Sequence, residues 1–266
     1  PLYTHYLTPQ DYGIIGYLDV YLTLMTTILM LGFYGAQTRL YYDCKENDNK
    51  VGELLFSLNV FLFLLVLTIC SILSLFGKPL FSKLINSREI VFSSFVILII
   101  WTAFFQIFNQ MVVSFYMAAK EYKTTACMQL LLFLISTLLI IYFVVIQDQG
   151  ALGKFKGAFF AQCLFFGVFY LNYIRKFYFH FSICQVKKAL SFGLPIVVHL
   201  ICSTSLLLID RLILARFVSL SELGIYTLGY QIGLGMSVLV ASINKAWTPN
   251  YYDLMNQKNM DHGYQI

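Results

Sequence analysis

The chain has 266 residues, of which 59% are hydrophobic and 12% are charged, and its formal net charge is +5. Soluble domains carry about 25% charged residues, so this composition excludes a domain whose surface is covered by water. The charge does not require a nucleic-acid partner, because Lys and Arg in loops orient membrane proteins.

Several apolar segments reach the roughly 20 residues that a helix needs to span a bilayer. They are continuous rather than alternating, which favours helices over a β-barrel. We therefore predict an all-α integral membrane protein folded as a helix bundle. The six cysteines form no CxxC pair, so we interpret them as small buried hydrophobic residues, with disulfides or metal ligation as the alternative.

Caps and stop signals divide the chain into seven predicted membrane helices. Thr8, Pro9 and Asp11 form a capping signature at the start of the first helix, and a Gly-Lys-Pro sequence ends the second. Residues 182–190 carry apolar and basic side chains on opposite sides, which is typical of a short helix in the membrane interface. The predicted helices are approximately 8–37, 54–76, 91–118, 124–146, 158–174, 193–217 and 220–247, with a polar loop at 39–53.

An internal repeat relates the two ends of the chain. Residues 7–17 match 218–228 at a constant offset, and T-x-x-Y-Y-D occurs at both 38–43 and 248–253. The first and seventh helices cross in the same direction, so we predict six helices per repeat and an axis along the membrane normal. Because the chain starts at Pro1 without Met, we expect helices two to eight of a longer protein. The matched pairs are Thr8 and Ser219, Asp11 and Glu222, Gly13 and Gly224, and Ile14 and Ile225.

The orientation in the membrane follows from the loop charges. Lys and Arg are more frequent in the loops after the first, third and fifth helices than on the opposite side. By the positive-inside rule these loops are predicted to be cytoplasmic. The first and seventh helices then begin on the outer side.

Polar side chains within the helices are the candidate functional groups, because they are costly in lipid. Asp19 lies about 15 Å into the first helix at 1.5 Å per residue. We interpret it as lining a cavity, with a paired or protonated structural carboxylate as the alternative. One face of the third helix could line a path for a hydrophilic substrate or bind neighbouring helices; its polar residues are Thr102, Gln106, Asn109 and Gln110.

Three further candidates lie in the sixth helix. Asp210 and Arg211 are adjacent and so do not face each other; we expect at least one to point inward. The alternative is that Arg211 extends to the outer surface. His199 is a candidate proton relay, since imidazole titrates near physiological pH, with an ordinary hydrogen-bonded histidine as the alternative.

No catalytic constellation is present in the sequence, which contains no GxSxG, HExxH or Walker A motif. The hydrophilic loops are too short to fold an ATPase or a glycosyltransferase domain. We therefore predict that the protein is not an enzyme and holds no cofactor or metal. Transport would have to be driven by an ion gradient or by a partner.

Two stretches of the chain resemble a known family. PLYTHYLTPQDYG resembles the entry to the second helix of Wzx-type polysaccharide biosynthesis flippases, with His5 where the family has Arg. SFGLPIVVHL, followed by LLLIDRLILARFVSLSELGIYTLGYQIG, resembles the seventh and eighth helices of that family. The family belongs to the MATE-like multidrug/oligosaccharidyl-lipid/polysaccharide (MOP) exporter superfamily.

The resemblance implies an exporter of 12–14 helices, with two lobes related by a pseudo-two-fold axis around a central cavity. Residues 1–181 would form family helices 2–6 of the N-terminal lobe. Residues 182–266 would form an interfacial linker helix and family helices 7–8 of the C-terminal lobe.

The function implied by the resemblance is that of a flippase. It would move an undecaprenyl-pyrophosphate-linked oligosaccharide across the bacterial cytoplasmic membrane for lipopolysaccharide O-antigen, capsule or exopolysaccharide synthesis. An H⁺ or Na⁺ gradient would drive it, as in an antiporter. Arg211 occupies the Asp-Arg position of the family motif and is the candidate to contact the pyrophosphate. Membrane lipids and polysaccharide polymerase or assembly proteins are further implied partners.

Other function classes stay open. A drug or lipid II exporter of the same superfamily shares the fold, although lipid II flippases tend to have a more cationic cavity. A non-transporting scaffold of glycan assembly would tolerate loss of Asp19 and Arg211, whereas a flippase should not. A membrane polymerase or acyltransferase would need a long outer loop with charged catalytic residues, and this sequence has none.

Overall fold

Eight helices make up most of the described chain. The structure is a computed structural model that describes residues 5–79, 81 and 92–236. The helices are α1 (Pro9–Leu29), α2 (Phe33–Cys44), α3 (Asp48–Phe76), α4 (Ile97–Ala118), α5 (Tyr122–Ile141), α6 (Gly150–Phe165), α7 (Ile183–Leu214) and α8 (220–236). Short π-helical turns precede α4 (Phe92–Val96) and follow α5 (Tyr142–Ile146) and α6 (Phe166–Tyr170), the last continuing into Leu171–Ile174. These ranges contain no strand.

Six segments of the described chain are long and apolar enough to cross a membrane. They are Pro9–Cys44, Asp48–Phe76, Ser94–Ala118, Tyr122–Ile146, Gly150–Ile174 and Ile183–Leu214. The prediction of an all-α membrane helix bundle is thus confirmed. The seventh predicted helix is helical over 220–236, and its continuation to residue 247 lies outside the described residues.

The centre of the bundle is α4, which packs against α1, α2, α3 and α6. Ile100, Ile107 and Phe108 on this helix are completely buried. In contrast, the most apolar 18-residue stretches of the α5 segment and of α7 are only 6% and 11% buried, respectively. Such apolar and exposed helices are what a bundle presents to lipid.

The first predicted helix is interrupted, and the polar loop predicted at 39–53 is mostly wrong. Leu31 and Gly32 have φ angles of 49° and 68°, which end α1 and start α2. A Cβ atom on Gly32 would lie 2.7 Å from the carbonyl oxygen of Gly193 in α7, so the break packs directly on that helix. The chain then stays helical to Cys44. Asn47 caps α3, because its side-chain carbonyl accepts hydrogen bonds from the backbone amides of Asn49 and Lys50.

The predicted interfacial helix at 182–190 and the sixth membrane helix form one continuous helix, α7, so the predicted break between them is wrong. Pro195 lies inside this helix. Membrane helices tolerate an internal proline because neighbouring groups can satisfy the backbone that it frees. The amphipathic residues at the start of α7 therefore continue straight into the apolar span.

The fifth membrane helix begins at Gly150 rather than at the predicted residue 158, because a distant side chain caps it. Asp11 of α1 accepts a hydrogen bond from the amide of Ala151 at 3.0 Å with one carboxylate oxygen. Its other oxygen accepts from the amide and hydroxyl of Thr8 at 2.9 and 2.7 Å. One carboxylate thus stabilises the N-termini of two helices.

The repeat predicted from the sequence has a counterpart in the packing. Ser219 and Glu222 cap α8 with the same reciprocal hydrogen bonds that Thr8 and Asp11 make in α1. The two helix starts also lie against each other. A Cβ atom on Gly13 would lie 2.7 Å from the carbonyl carbon of Leu220 and closer to its oxygen, and one on Gly224 would lie 2.8 Å from the carbonyl carbon of Pro9.

These contacts are reciprocal within the repeat. In the repeat, Pro9 corresponds to Leu220 and Gly13 to Gly224. Gly13 lies against Leu220, and Gly224 lies against Pro9, so the same contact is made twice with the two copies exchanged. Gly16 likewise contacts Thr227, the residue at its own repeat position. Exchange of this kind is the signature of a two-fold contact. The two copies therefore pack as a pseudo-two-fold pair.

A buried polar network joins α2, α3 and the segment after α6. The Tyr173 hydroxyl donates to the Gln37 side-chain carbonyl at 3.0 Å and accepts from the Asn59 amide at 3.0 Å. The Tyr170 hydroxyl donates to the Asn59 carbonyl at 3.2 Å, and the Gln37 amide donates to the backbone carbonyl of Met111 in α4 at 2.9 Å. Each of these side chains has a partner, so the network can stabilise the bundle without an unpaired polar group.

Candidate translocation cavity

The polar face predicted on the third membrane helix lines a cavity of about 720 Å³. Gln106, Asn109 and Gln110 of α4 are among the lining residues. Thr102 lies on the same face but is buried, and its hydroxyl donates to the carbonyl of Leu98 in its own helix at 2.6 Å. The volume lies within the range of about 300–1,000 Å³ that is typical of small-molecule sites.

The cavity lies between α1 and α2 on one side and α4, α5 and α6 on the other, and Leu200 of α7 also lines it. Amides and hydroxyls from five of these helices converge on it, and none of its described lining residues is charged. The polar lining residues are Thr23, Thr26, Thr27, Tyr34, Gln106, Asn109, Gln110, Ser114, Gln129, Ser136 and Gln162.

Asn109 is the best-defined polar group of the cavity. Its side chain is only 3% exposed, and its amide donates to the backbone carbonyl and the side-chain carbonyl of Gln162 at 3.0 and 2.6 Å. Its own carbonyl oxygen, Oδ1, is buried without a hydrogen-bond partner in the described part of the protein. Buried polar atoms are normally satisfied, so Oδ1 is a spare acceptor beside the cavity, which a ligand reaches only when the surrounding side chains shift.

The hydroxyls on the α1 side are held by their own helix. Thr23 donates to the carbonyl of Asp19 at 2.7 Å, and Thr27 donates to that of Thr23 at 2.8 Å. In α4, Ser114 donates to the carbonyl of Tyr34 at 2.7 Å. Because each hydroxyl donates to a backbone carbonyl, what remains for a ligand is mainly its capacity to accept hydrogen bonds.

Asp19 is not among the lining residues and instead forms an ion pair with Lys154 of α6. The two side chains are 32% and 22% exposed, respectively. A carboxylate within a membrane span is stabilised by such a partner. The structure thus shows Asp19 as a paired carboxylate, which was the alternative interpretation of the sequence. Asp19 lies one helical turn from Thr23, which lines the cavity. A role for Asp19 in translocation stays a prediction.

Asp210 and Arg211 lie away from the cavity and join α7 to α8. The Tyr226 hydroxyl donates to the Asp210 carboxylate, and the Arg211 guanidinium stacks over the ring of Tyr230, 4.7 Å from its centroid. Arg211 is only 6% exposed, and its Nε atom has no hydrogen-bond partner among the described residues. The side chain is therefore buried against α8 and not extended into the surroundings.

His199 is exposed on α7, and its backbone carbonyl accepts from the Ser203 hydroxyl at 2.9 Å. It does not line the cavity, although its neighbour Leu200 does. A proton relay at this position stays a prediction. Within the described ranges, no group of His, Cys, Asp and Glu residues is arranged to hold a metal ion.

Two amides that face α4 across the cavity were not predicted from the sequence. Gln129 on α5 and Gln162 on α6 both line it. Gln162 is the only amide of α6, and Gln129 shares its face of α5 only with the hydroxyls of Thr125 and Ser136, so neither helix shows a row of amides like that of α4. Their position within membrane spans would have identified both as candidates, because amides are costly in lipid and turn toward the protein interior.

The sequence profile of the family described as "Polysaccharide biosynthesis protein" matches residues 1–255. The chain belongs to this family. The resemblance found in the sequence is thereby confirmed, and this polysaccharide biosynthesis protein crosses the membrane several times.

A curated relative of this family member is "Lsg locus putative protein 1" of Haemophilus influenzae, which is 32% identical over 71 residues. The alignment covers 27% of this chain and 18% of that protein. The chain therefore aligns with less than a fifth of its relative's length. No solved protein structure matches the chain significantly.

Proposed function

We propose that this protein is a flippase that moves an undecaprenyl-pyrophosphate-linked oligosaccharide from the inner to the outer leaflet of the bacterial cytoplasmic membrane. It would act in the synthesis of a surface polysaccharide, as a transporter and not as an enzyme. The observation that carries this proposal is a polar cavity, uncharged in its described lining, inside an apolar helix bundle of the polysaccharide biosynthesis family.

The cavity supplies what the sugars of such a substrate need in order to leave water. Each hydroxyl of a sugar loses its hydrogen bonds to water on entering the membrane, at a cost of about 1–3 kcal/mol if it stays unpaired. Amides from α4, α5 and α6 and hydroxyls from α1 can replace those bonds. A bundle built only to hold a scaffold together does not need an open, polar interior.

Arg211 is the proposed contact for the diphosphate of the lipid carrier. A guanidinium group matches the geometry of phosphate oxygens and binds them through two hydrogen bonds. The buried Nε atom of Arg211 has no described partner, so an anion that reaches it would gain a hydrogen bond and neutralise a buried charge.

The packing of α1 on α8 supports a transport cycle with two states. On the predicted topology their contact lies at the outer side of the membrane, where it would close the path. Release of a glycan to that side requires the two starts of these helices to separate. We propose that an H⁺ or Na⁺ gradient drives this cycle and that the ion pair of Asp19 with Lys154 lies along the translocation path.

The test is complementation of a bacterial strain that lacks its own flippase, using the full-length gene. The variants are Asn109→Leu, Asp19→Asn and Arg211→Ala, matched for membrane expression. Asn172→Leu is the control, because Asn172 is exposed and bonds only to a carbonyl of its own helix. Surface glycan and accumulated lipid-linked repeat units are quantified.

Wild type and the control should restore surface glycan, and the three site variants should lose it while lipid-linked units accumulate. If wild type fails to restore glycan when the cognate repeat unit is present, the flippase proposal is wrong. If all three variants match wild type, the proposed path is wrong although the flippase proposal survives.

A further inference from the structure

The cavity carries information about its substrate, because the polar groups of its described lining residues are amides and hydroxyls only. Resting on the flippase function proposed above, we propose that the glycan segment held in this cavity is uncharged. It would consist of neutral hexoses and N-acetylated aminosugars, and the cavity would discriminate against sugars that carry a carboxylate.

Two cations on helices that line the cavity are held elsewhere. Lys154 is paired with Asp19. Arg39 stacks over the ring of Phe192, 5.2 Å from its centroid, and is exposed. Neither cation lines the cavity. A carboxylate that entered would lose part of its hydration without meeting an opposite charge on the described lining residues, and moving a charge out of water without a partner is costly.

Asn109 adds a positive requirement. The backbone carbonyl of Gln162 can only accept a hydrogen bond, so the Asn109 side chain must turn its amide group toward it. This orientation leaves Oδ1 of Asn109 as a buried acceptor without a partner. A ligand that reaches this oxygen therefore gains a hydrogen bond if it brings a donor. A sugar hydroxyl or the N–H of an acetamido group provides one, and replacing a hydroxymethyl group by an ionised carboxylate removes one donor.

The same atom argues against a lipid tail as the occupant. Apolar side chains such as Met30 and Leu132 also line the cavity, but a hydrocarbon chain offers no donor to Asn109. Sugar rings present apolar C–H faces as well as hydroxyls, so they match both kinds of lining. The uncharged glycan satisfies the acceptor and the apolar wall together.

The test uses the full-length protein in phospholipid vesicles with two prenyl-diphosphate-linked disaccharides. Both begin with N-acetylglucosamine on the diphosphate; one ends in glucose and the other in glucuronic acid. The lipid and diphosphate are identical, so any difference reports the change from a hydroxymethyl group to a carboxylate. The rate at which each glycan reaches the opposite leaflet is measured with an impermeant reagent.

We expect the glucose compound to move at least tenfold faster than the glucuronic acid compound. In the Gln110→Arg variant, which places a cation on the exposed part of the cavity wall, the ratio should fall at least threefold. Equal rates in the wild type, or a faster acidic compound, would overturn the inference and leave the flippase function standing.

An unchanged ratio in Gln110→Arg, with the variant still active, would show that the selectivity does not arise in this cavity and would also overturn the inference. Rates for both compounds no higher than in protein-free vesicles would contradict the proposed function itself, and the inference would fall with it. The two failures are therefore distinguishable.

Discussion

Replacing Gly13 by Ala should force α1 and α8 apart at their reciprocal contact. The added methyl group would lie 2.7 Å from the carbonyl carbon of Leu220, whereas carbon atoms pack at about 3.5–4.0 Å. The two backbones must therefore separate by roughly 1 Å. The atom in the way belongs to the backbone of a capped helix start, so no side-chain rotation can relieve the overlap.

The loss of stability in Gly13→Ala can be compared with the effect of the same substitution at Gly229. Overpacking of this kind costs about 1–3 kcal/mol, while Gly to Ala in a helix interior gains about 1 kcal/mol in propensity. Gly229 in α8 has no atom within 4 Å of an added Cβ, so Gly229→Ala receives only the gain. The two variants should therefore differ by about 1–3 kcal/mol, a difference in melting temperature of roughly 2–12 °C for a domain of this size.

The assay is thermal unfolding of the full-length protein in detergent, followed by the loss of the monodisperse peak in size-exclusion chromatography. We expect Gly13→Ala to melt below wild type and Gly229→Ala at or above it. Equal melting temperatures for the two variants would show that α1 and α8 do not make this contact, and the two-fold packing of the repeat would be refuted.

Three further predictions follow from individual side chains. Tyr173→Phe should lower stability by about 1–3 kcal/mol, because it leaves the buried side-chain oxygen of Gln37 without a donor. The control Tyr178→Phe, at a ring that is 51% exposed, should melt at the wild-type temperature. Equal effects of the two changes would contradict the buried network. Asp11→Ala should destabilise more than Glu222→Ala by about 1 kcal/mol, because only Asp11 also caps α6, and the same thermal assay would expose equal losses. Arg211→Lys should retain less surface glycan than wild type but more than Arg211→Met, since lysine keeps the charge and loses the planar fork; full activity of both variants would remove Arg211 from the path.

Composition and local motifs were enough to predict the fold class and the repeat. Apolar segments of membrane-spanning length require helices, and the capping signature of Thr8 and Asp11 fixes where α1 starts. The end of α3 at Phe76 and its Gly77 cap were also predictable, because glycine followed by proline stops a helix locally. In each case the deciding interaction lies within a few residues of the chain.

The errors arose where the deciding partner is distant in sequence. The start of α6 depends on Asp11, which is 140 positions from Ala151. The break after α1 is set by its packing on Gly193. No local pattern contains this information, so neither boundary could be placed from the sequence.

The candidate site was predictable only in part for the same reason. The spacing of Gln106, Asn109 and Gln110 puts them on one face of α4, which the structure shows lining the cavity. Gln162, which fixes the orientation of Asn109, is the only amide on α6 and so forms no spacing pattern with another amide. The ion pair of Asp19 with Lys154 likewise joins residues 135 positions apart.

The side of the membrane on which lipid-linked glycan accumulates in a strain without this protein tests the flippase account most directly. Right-side-out and inverted vesicles from the deletion strain are treated with an impermeant reagent that labels sugars. The account predicts that single lipid-linked repeat units are labelled in the inverted vesicles only, and that the full-length gene restores their labelling at the outer face. Repeat units that already lie at the outer face of the deletion strain would contradict it.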